Sequence, residues 1–189
     1  MKKLKAFFDL FPMMLLWLVL SIILWGFVFN HLTDAPPENK IVIFIDAALT
    51  DETRLAVQLE EETAPPLKMV QVRPFSYAMM GGESIENADL YIVGASQAET
   101  YRDWFGPLPQ GLQNAGEVME MNGIPMGVKV YDAATRTGAA AAFILYEDPS
   151  KPAEDYYLFC GVGSLHVQGH ENALDDQAVS CALQLMGLP

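Results

Sequence analysis

The chain has 189 residues and a formal net charge of −13, from 11 basic and 24 acidic residues. Lys2, Lys3, Lys5 and Asp9 precede a long apolar segment, so the rest of the chain keeps 8 basic and 23 acidic residues, a net charge of −15. This charge repels phosphate backbones and no basic patch offsets it, so nucleic acid is excluded as an expected partner.

The first predicted element is a transmembrane helix over residues 10–32. The stretch 10–30 comprises 21 residues without Asp, Glu, Lys, Arg or His. A helix of this length spans about 31 Å, which matches a hydrocarbon core of about 30 Å. The stretch is also apolar on every face, unlike a surface helix of a soluble protein. We therefore expect residues 10–32 to bind the lipid bilayer.

The flanking charges predict the orientation of this helix. Three lysines precede it, whereas Asp34 and Glu38 follow it. By the positive-inside rule, residues 1–9 are expected in the cytoplasm, residues 33–39 form a linker, and residues 40–189 form an extracytoplasmic domain. The length of this last segment is that of one globular domain. The predicted location is the plasma membrane, with a single pass and the C-terminal domain outside.

A cleaved signal peptide is the alternative to an anchor. Signal peptides usually have an apolar region of about 7 to 15 residues followed by small residues at the cleavage site. Here the apolar region is longer, and Thr33 and Ala35, the only suitable small pair, are followed by Pro36. We favour an uncleaved anchor.

The exported domain begins with a predicted βαβ unit. Residues 41–45 form a continuous β-branched and aromatic run, typical of a central strand buried on both faces. Thr50 is placed to cap a helix that ends before Pro65, and Glu60, Glu61 and Glu62 are expected to lie in solvent. Residues 69–72 and 90–93 give the next two strands.

Ser96 and Glu99 match a capping box that opens a short helix, and residues 107–123 have the composition of a loop. Residues 127–131, 141–146 and 156–162 are predicted to form an antiparallel meander. A last helix is indicated by apolar residues from Leu174 to Leu185, with Gly187 placed to end it. The predicted fold class is therefore α/β with a mixed sheet, which starts as βαβ, ends in antiparallel strands and follows one transmembrane helix.

Candidate ligand-binding residues follow the parallel strands, because the loops after such strands gather at one edge of the sheet. We name Tyr77, Tyr91 and Ser96, with Tyr77 in a loop that also carries Met79 and Met80. Packing in the core is the alternative for Tyr91.

His166 and His170 are the candidate metal ligands, in the order His-Val-Gln-Gly-His-Glu. Two histidines four residues apart on a helix can share a metal ion, with zinc or a hard divalent cation as the first expectation. Gly169 interrupts the pattern, so a polar loop before a helix is the favoured alternative. Ser164 and His166 are not expected to form a hydrolase pair, because nothing in the sequence orients the imidazole.

Cys160 and Cys181 fall in the last predicted strand and the last predicted helix. In an oxidising compartment they are either joined in a disulfide or present as two small buried apolar residues, and the sequence leaves both states open.

The order of elements resembles one lobe of extracellular solute-binding proteins. The resemblance is carried by the first strand, helix and second strand, by Ala88-Asp89-Leu90-Tyr91-Ile92-Val93 followed by Ser96, and by Gly123-Ile124-Pro125-Met126-Gly127-Val128. It covers about half of the exported domain and implies ligand capture at the strand ends. That family uses two lobes and commonly a lipidated cysteine, neither of which this sequence provides.

Two functional hypotheses follow. The first is a non-enzymatic, membrane-anchored domain that binds a small molecule or a protein partner. The alternative is an extracytoplasmic enzyme or metal-binding protein that uses the region of His166 and His170. No cofactor is expected under the first hypothesis.

Overall fold

The computed structural model describes residues 2–33, 35–63, 65, 67–75, 85, 88–170 and 173–188. The chain divides into two compact units, Met1–Pro36 and Pro37–Pro189. The first unit contains helix α1 (Lys2–Thr33). Within α1, the 19 residues Phe11–Phe29 are apolar with exposed side chains, and they extend about 28 Å. One N-terminal helix is therefore long and apolar enough to span a membrane, as predicted, although a signal sequence has the same properties.

The second unit is an α/β domain, as predicted. Its strands, in chain order, are β1 (Lys40–Ile45), β2 (Leu49–Thr50), β3 (Met69–Pro74), β4 (Leu90–Gly94), β5 (Val118–Met121), β6 (Ile124–Asp132), β7 (Thr137–Gly138), β8 (Ile144–Leu145) and β9 (Tyr156–Cys160). Its helices are α2 (Glu52–Glu62), α3 (Ala95–Ala98), α4 (Gln110–Gln113) and α5 (Gln177–Leu185).

The main sheet is mixed, with the order β3-β1-β4-β9-β6-β5, and β7 also pairs with β6. Strands β1, β3 and β4 are parallel to one another. Strand β9 runs antiparallel to both β4 and β6. The parallel half of the sheet thus comes from the predicted βαβ start, and the antiparallel half comes from the C-terminal strands.

Both faces of the sheet are covered. Ile41, Ile43 and Ile45 join a core with the apolar faces of α2, α4 and α5. Val42 and Phe44, which point to the opposite face, join a second core rich in aromatic rings. This two-sided burial confirms that the first strand is central, and it explains why the run has no polar residue.

Helix α2 begins one residue later than predicted. The carboxylate of Asp51, rather than the hydroxyl of Thr50, caps it by accepting a 3.2 Å hydrogen bond from the amide of Arg54. Leu55 and Leu59 are buried, as their spacing indicates. The helix ends at Glu62, where Thr63 returns to extended backbone.

Glu60 was expected in solvent, but it has a structural partner. Its carboxylate accepts a 2.9 Å hydrogen bond from the amide of Val70 in β3. Strand β3 lies at one end of the sheet, so this bond occupies an amide that would otherwise be open to another chain.

The C-terminal half differs from the prediction in two strands. Residues 118–121 were predicted as loop, yet β5 forms a hairpin with β6 around Asn122 and Gly123, both of which have positive φ. The predicted strand 141–146 is reduced to β8, which pairs with β2 in a separate two-stranded sheet. The meander is therefore wrong at its middle strand, and β9 inserts between β4 and β6 instead.

Helix α5 is shorter than its apolar pattern indicates. Ala178, Cys181, Ala182 and Leu185 are buried on its inner side, but Leu174 precedes the helix and is exposed. Gly187 has a φ of +71° and ends the helical region as predicted.

Candidate functional site

The candidate site lies at the carboxyl edge of the parallel strands. From β1 the chain crosses through α2 to β3 on one side, and β4 then pairs with β1 on the other side. The strand order therefore changes direction between β1 and β4. In open α/β sheets such a switch point leaves a crevice at the strand ends, where ligands bind.

A cleft of about 420 Å³ opens at this switch point. Its volume lies in the range of small-molecule sites, about 300–1,000 Å³. Three segments supply its lining, which consists of Asp46 after β1, then Ser96, Gln97 and Tyr101 after β4, and finally Lys151, Pro152, Glu154 and Tyr156 on the approach to β9. These segments meet because β9 is antiparallel to β4, which places Tyr156 opposite Gly94.

Asp46 is the central acid of the cleft. Its amide donates to the carbonyl of Ile92 at 2.8 Å, which fixes the backbone at the end of β1. Within the described residues, its carboxylate has no hydrogen bond or ion pair. Burial raises the pKa of Asp46, the charge of Lys151 lowers it, and that of Glu154 raises it, with a net upward shift. A half-buried carboxylate without a donor is a common feature of binding sites.

Glu154 holds the opposite wall of the cleft. Its carboxylate accepts a 2.8 Å hydrogen bond from the amide of Ser96, 58 residues away in the chain. A Cβ at Gly94 would lie 2.7 Å from that carboxylate, so glycine is what permits this approach. The predicted Ser96–Glu99 capping box is absent, because α3 begins at Ala95 after Gly94 without a side-chain cap. Ser96 instead lies in the cleft, where it was predicted as a ligand-binding candidate.

Two tyrosines supply the aromatic surface of the cleft. Tyr101 stacks on Trp104 with ring centroids 4.8 Å apart. Tyr156 packs on Tyr146 at 5.2 Å. Burial, followed by the charges of Glu154 and Asp46, raises the pKa of Tyr156 to about 12, so its phenol remains a neutral donor at physiological pH.

Tyr91, another candidate ligand-binding residue, does not line this cleft. Tyr91 has no exposed surface, and its hydroxyl donates to the carbonyl of Ile85 in the aromatic core. Tyr77, Met79 and Met80 lie outside the described residues. Sequence reasoning missed Asp46, Lys151 and Glu154 as a group, because only tertiary structure brings them together.

His166 belongs to a buried polar network at the opposite edge of the sheet. Its Nδ1 lies 2.8 Å from Oδ1 of Asp175, and its Nε2 lies 3.1 Å from the carbonyl oxygen of Pro37. Asp175 thus orients the imidazole, which the sequence did not indicate. The ring does not act on Ser164, whose hydroxyl donates to Oδ1 of Asp89 at 2.5 Å.

The network determines the charge of His166. Both ring nitrogens face acceptors, and only the imidazolium carries two N–H donors. Burial lowers the pKa of His166, but the hydrogen bonds that the ring donates to Asp175 and Pro37 and the charge of Asp89 outweigh this effect, so the pKa is raised. Asp89 also accepts from the amide of Val42 at 2.9 Å. The network therefore fastens Pro37 and β1 to the loop that follows β9.

His170 is held by two backbone carbonyls. Its Nδ1 lies 2.9 Å from the oxygen of Gly161 and its Nε2 lies 3.3 Å from that of Pro107. All four ring nitrogens of the predicted metal pair, His166 and His170, thus have protein partners. Among the described residues, no group of three or more His, Cys, Asp or Glu side chains is arranged to hold a metal ion.

Cys160 and Cys181 are buried free thiols in the structure. Burial raises the pKa of both, and nearby carboxylates add to the shift. Of the two states that the sequence leaves open, the structure has the reduced one.

Comparisons of the chain with protein-family models, with curated proteins and with solved structures find no match. Function is therefore inferred from the geometry of the site.

Proposed function

We propose that this protein is a membrane-anchored, extracytoplasmic binding domain that takes a small polar molecule in the cleft between β1 and β4. The proposal rests on one observation: the cleft lies at the switch point of the parallel strands. A folded sheet always has such an edge, but here the edge keeps an open volume of about 420 Å³. Its walls contain charged, hydroxyl and aromatic groups that can orient a ligand.

The proposed location is supported by the N-terminal segment. In the proposed arrangement α1 stays in the plasma membrane, residues 1–9 are cytoplasmic, and the α/β domain lies outside the cytoplasm. The lysines before the apolar segment and the acids after it support this orientation. Ligand capture at the strand ends is also what the resemblance to one solute-binding lobe implies.

A binding role accounts for the cleft better than catalysis does. The cleft brings an acid, a lysine and a hydroxyl together, but none of its described side chains forms the nucleophile–base hydrogen bond that activates a catalytic serine or threonine. The proposed function is therefore capture of a ligand without its chemical conversion.

The test is a thermal-shift screen of small polar metabolites against full-length protein in detergent. Compounds that occupy the cleft raise the Tm of the wild type by mass action. They should not raise that of Ser96→Trp, in which an indole fills the cleft. Ser180→Trp is the matched control, because Ser180 is exposed on α5 and does not line the cleft. Hits that shift the Tm of all three proteins equally would contradict the proposal.

The topology has a separate test. Protease added to intact cells should digest the acidic domain and leave a fragment that contains α1, and the mature protein should keep its N-terminal methionine segment. A domain protected from protease, or a mature chain that begins after residue 35, would contradict the proposed anchor.

A further inference from the structure

The charge in the cleft is unbalanced. Asp46 and Glu154 contribute two carboxylates, and Lys151 contributes one ammonium group. Glu154 is engaged by the Ser96 amide, whereas the carboxylate of Asp46 lacks any hydrogen bond or ion pair with the described residues. A positively charged donor forms the strongest hydrogen bond to such a carboxylate.

The walls around Asp46 suit a cation with a carbon chain. Tyr101 and Tyr156 are among the residues that line the cleft, and aromatic side chains attract ammonium groups and cover methylene groups. The charge of −15 on the chain after the apolar segment raises the local concentration of small cations. The cleft is thus acidic and aromatic, which disfavours anions.

Lys151 already acts on Asp46 from the same cleft. Its positive charge lowers the pKa of the Asp46 carboxyl, against the effect of burial. Lys151 sits in an exposed turn, in which Asp148 accepts hydrogen bonds from the amide and hydroxyl of Ser150. The ammonium group of a ligand would act on Asp46 in the same direction as the charge of Lys151 does.

We infer that the ligand of this cleft is a small organic amine whose ammonium group pairs with Asp46 and whose carbon chain contacts Tyr101 and Tyr156 on the cleft wall. The inference rests on the proposed function and specifies its ligand class. Lys151 competes weakly with the ligand for Asp46, so its removal strengthens binding.

Four compounds with the same four-carbon chain test the ligand class: butane-1,4-diamine, 4-aminobutyrate, butane-1,4-diol and succinate. Binding to full-length protein in nanodiscs is measured by titration calorimetry. The diamine should bind, and the diol and succinate should not. Asp46→Asn should weaken diamine binding at least tenfold, since a charge-assisted hydrogen bond is lost. Glu120→Gln, an equal change in charge at the exposed β5 edge, should leave the affinity within about twofold.

Lys151→Gln gives the opposite expectation. It should raise diamine affinity by about two- to fivefold, since a competing charge is removed from a solvent-exposed site. Lys68→Gln, an exposed lysine before β3, should change it by less than twofold.

The outcomes separate the two levels of the argument. Succinate or the diol could bind in the cleft, so that Ser96→Trp abolishes binding but Asp46→Asn does not. This result would overturn the amine inference and leave the proposed function standing. If Asp46→Asn and Glu120→Gln weaken diamine binding equally, the diamine is attracted only by the general acidity of the domain. This result would also overturn the inference. If titration of millimolar diamine releases no heat of binding, the inference is overturned as well.

Discussion

The pH dependence of stability tests whether His166 is an imidazolium in the folded protein. Its side chain is 1% exposed, and each ring nitrogen faces an acceptor. Loss of the second proton places a nitrogen lone pair against either the Asp175 carboxylate or the Pro37 carbonyl. A buried polar atom without a partner costs about 1–3 kcal/mol. We therefore expect the free energy of unfolding to fall by roughly 1–3 kcal/mol when the ring deprotonates.

The direction follows from linkage. The pKa of His166 in the folded protein is raised above the ordinary value of 6.5. Its contribution to stability is therefore complete below pH 6.5 and is lost as the pH rises through the folded pKa. The pKa of Asp89 is also raised, chiefly by burial, above its ordinary value of 3.8. Deprotonation of Asp89 in the folded protein therefore also lowers stability as the pH rises, over a range that begins at lower pH.

The assay is urea unfolding of the full-length protein in detergent, followed by near-ultraviolet circular dichroism between about pH 5.5 and pH 9. His166→Gln should remove most of the loss at the alkaline side. Nitrogen NMR of the imidazoles should show both ring nitrogens of His166 protonated at the acidic end of this range. Stability that rises through this window, or an unchanged slope in His166→Gln, would refute the assignment of charge.

Three further predictions concern close contacts and thiols. Gly161→Ala places a Cβ 1.9 Å from the carbonyl oxygen of Ala88, so the backbone must move. We expect the free energy of unfolding to fall by roughly 3 kcal/mol or more. An unchanged Tm would contradict this contact. Gly94→Ala should displace only the flexible Glu154 carboxylate, so the fold should persist. The amide of Ser96 should then exchange its hydrogen faster. An unchanged exchange rate would argue against the hydrogen bond between Ser96 and Glu154. Both cysteines should resist a thiol reagent in the folded protein and give two free thiols after denaturation without reductant; no free thiols would establish a disulfide.

The parallel half of the fold could be predicted because its signals are local. The runs at β1 and β4 are continuous and apolar, as burial on both faces demands, and β3 shows the alternation of a strand at one end of the sheet. Strand β5 was missed because proline, glycine and polar residues dominate the preceding stretch. Asn122 and Gly123 were nevertheless a usable signal, since Asn-Gly between two apolar segments favours the positive φ values of a tight hairpin turn.

The C-terminal misassignments have a different cause. The apolar residues 141–146 have alanines in their first half, and Phe143 and Ile144 both donate from their amides to Ala140, which has a φ of +49°. The segment therefore turns where a strand was expected. Apolar composition alone does not distinguish a buried turn from a strand.

The site was less accessible to sequence reasoning than the fold. Ser96 could be named because it follows a predicted strand, and Asp46 was visible as the end of another. Their partners come from distant parts of the chain, since Glu154 lies 58 residues from Ser96. The Pro37–His166 bond spans 129 residues. Such pairs leave no local pattern, and they depend on β9 inserting beside β4.

The central claim is that ligand binding takes place at the carboxyl edge of β1 and β4. Amide NMR spectra of the full-length protein in detergent, recorded with each of the four matched four-carbon compounds, test it most directly. At least one of these compounds, or one hit of the thermal-shift screen, should shift the amides of Asp46, Ser96 and Gln97, whereas the amides beside His166 should stay unchanged. If every compound that binds shifts only amides on other surfaces, ligand binding does not take place in this cleft.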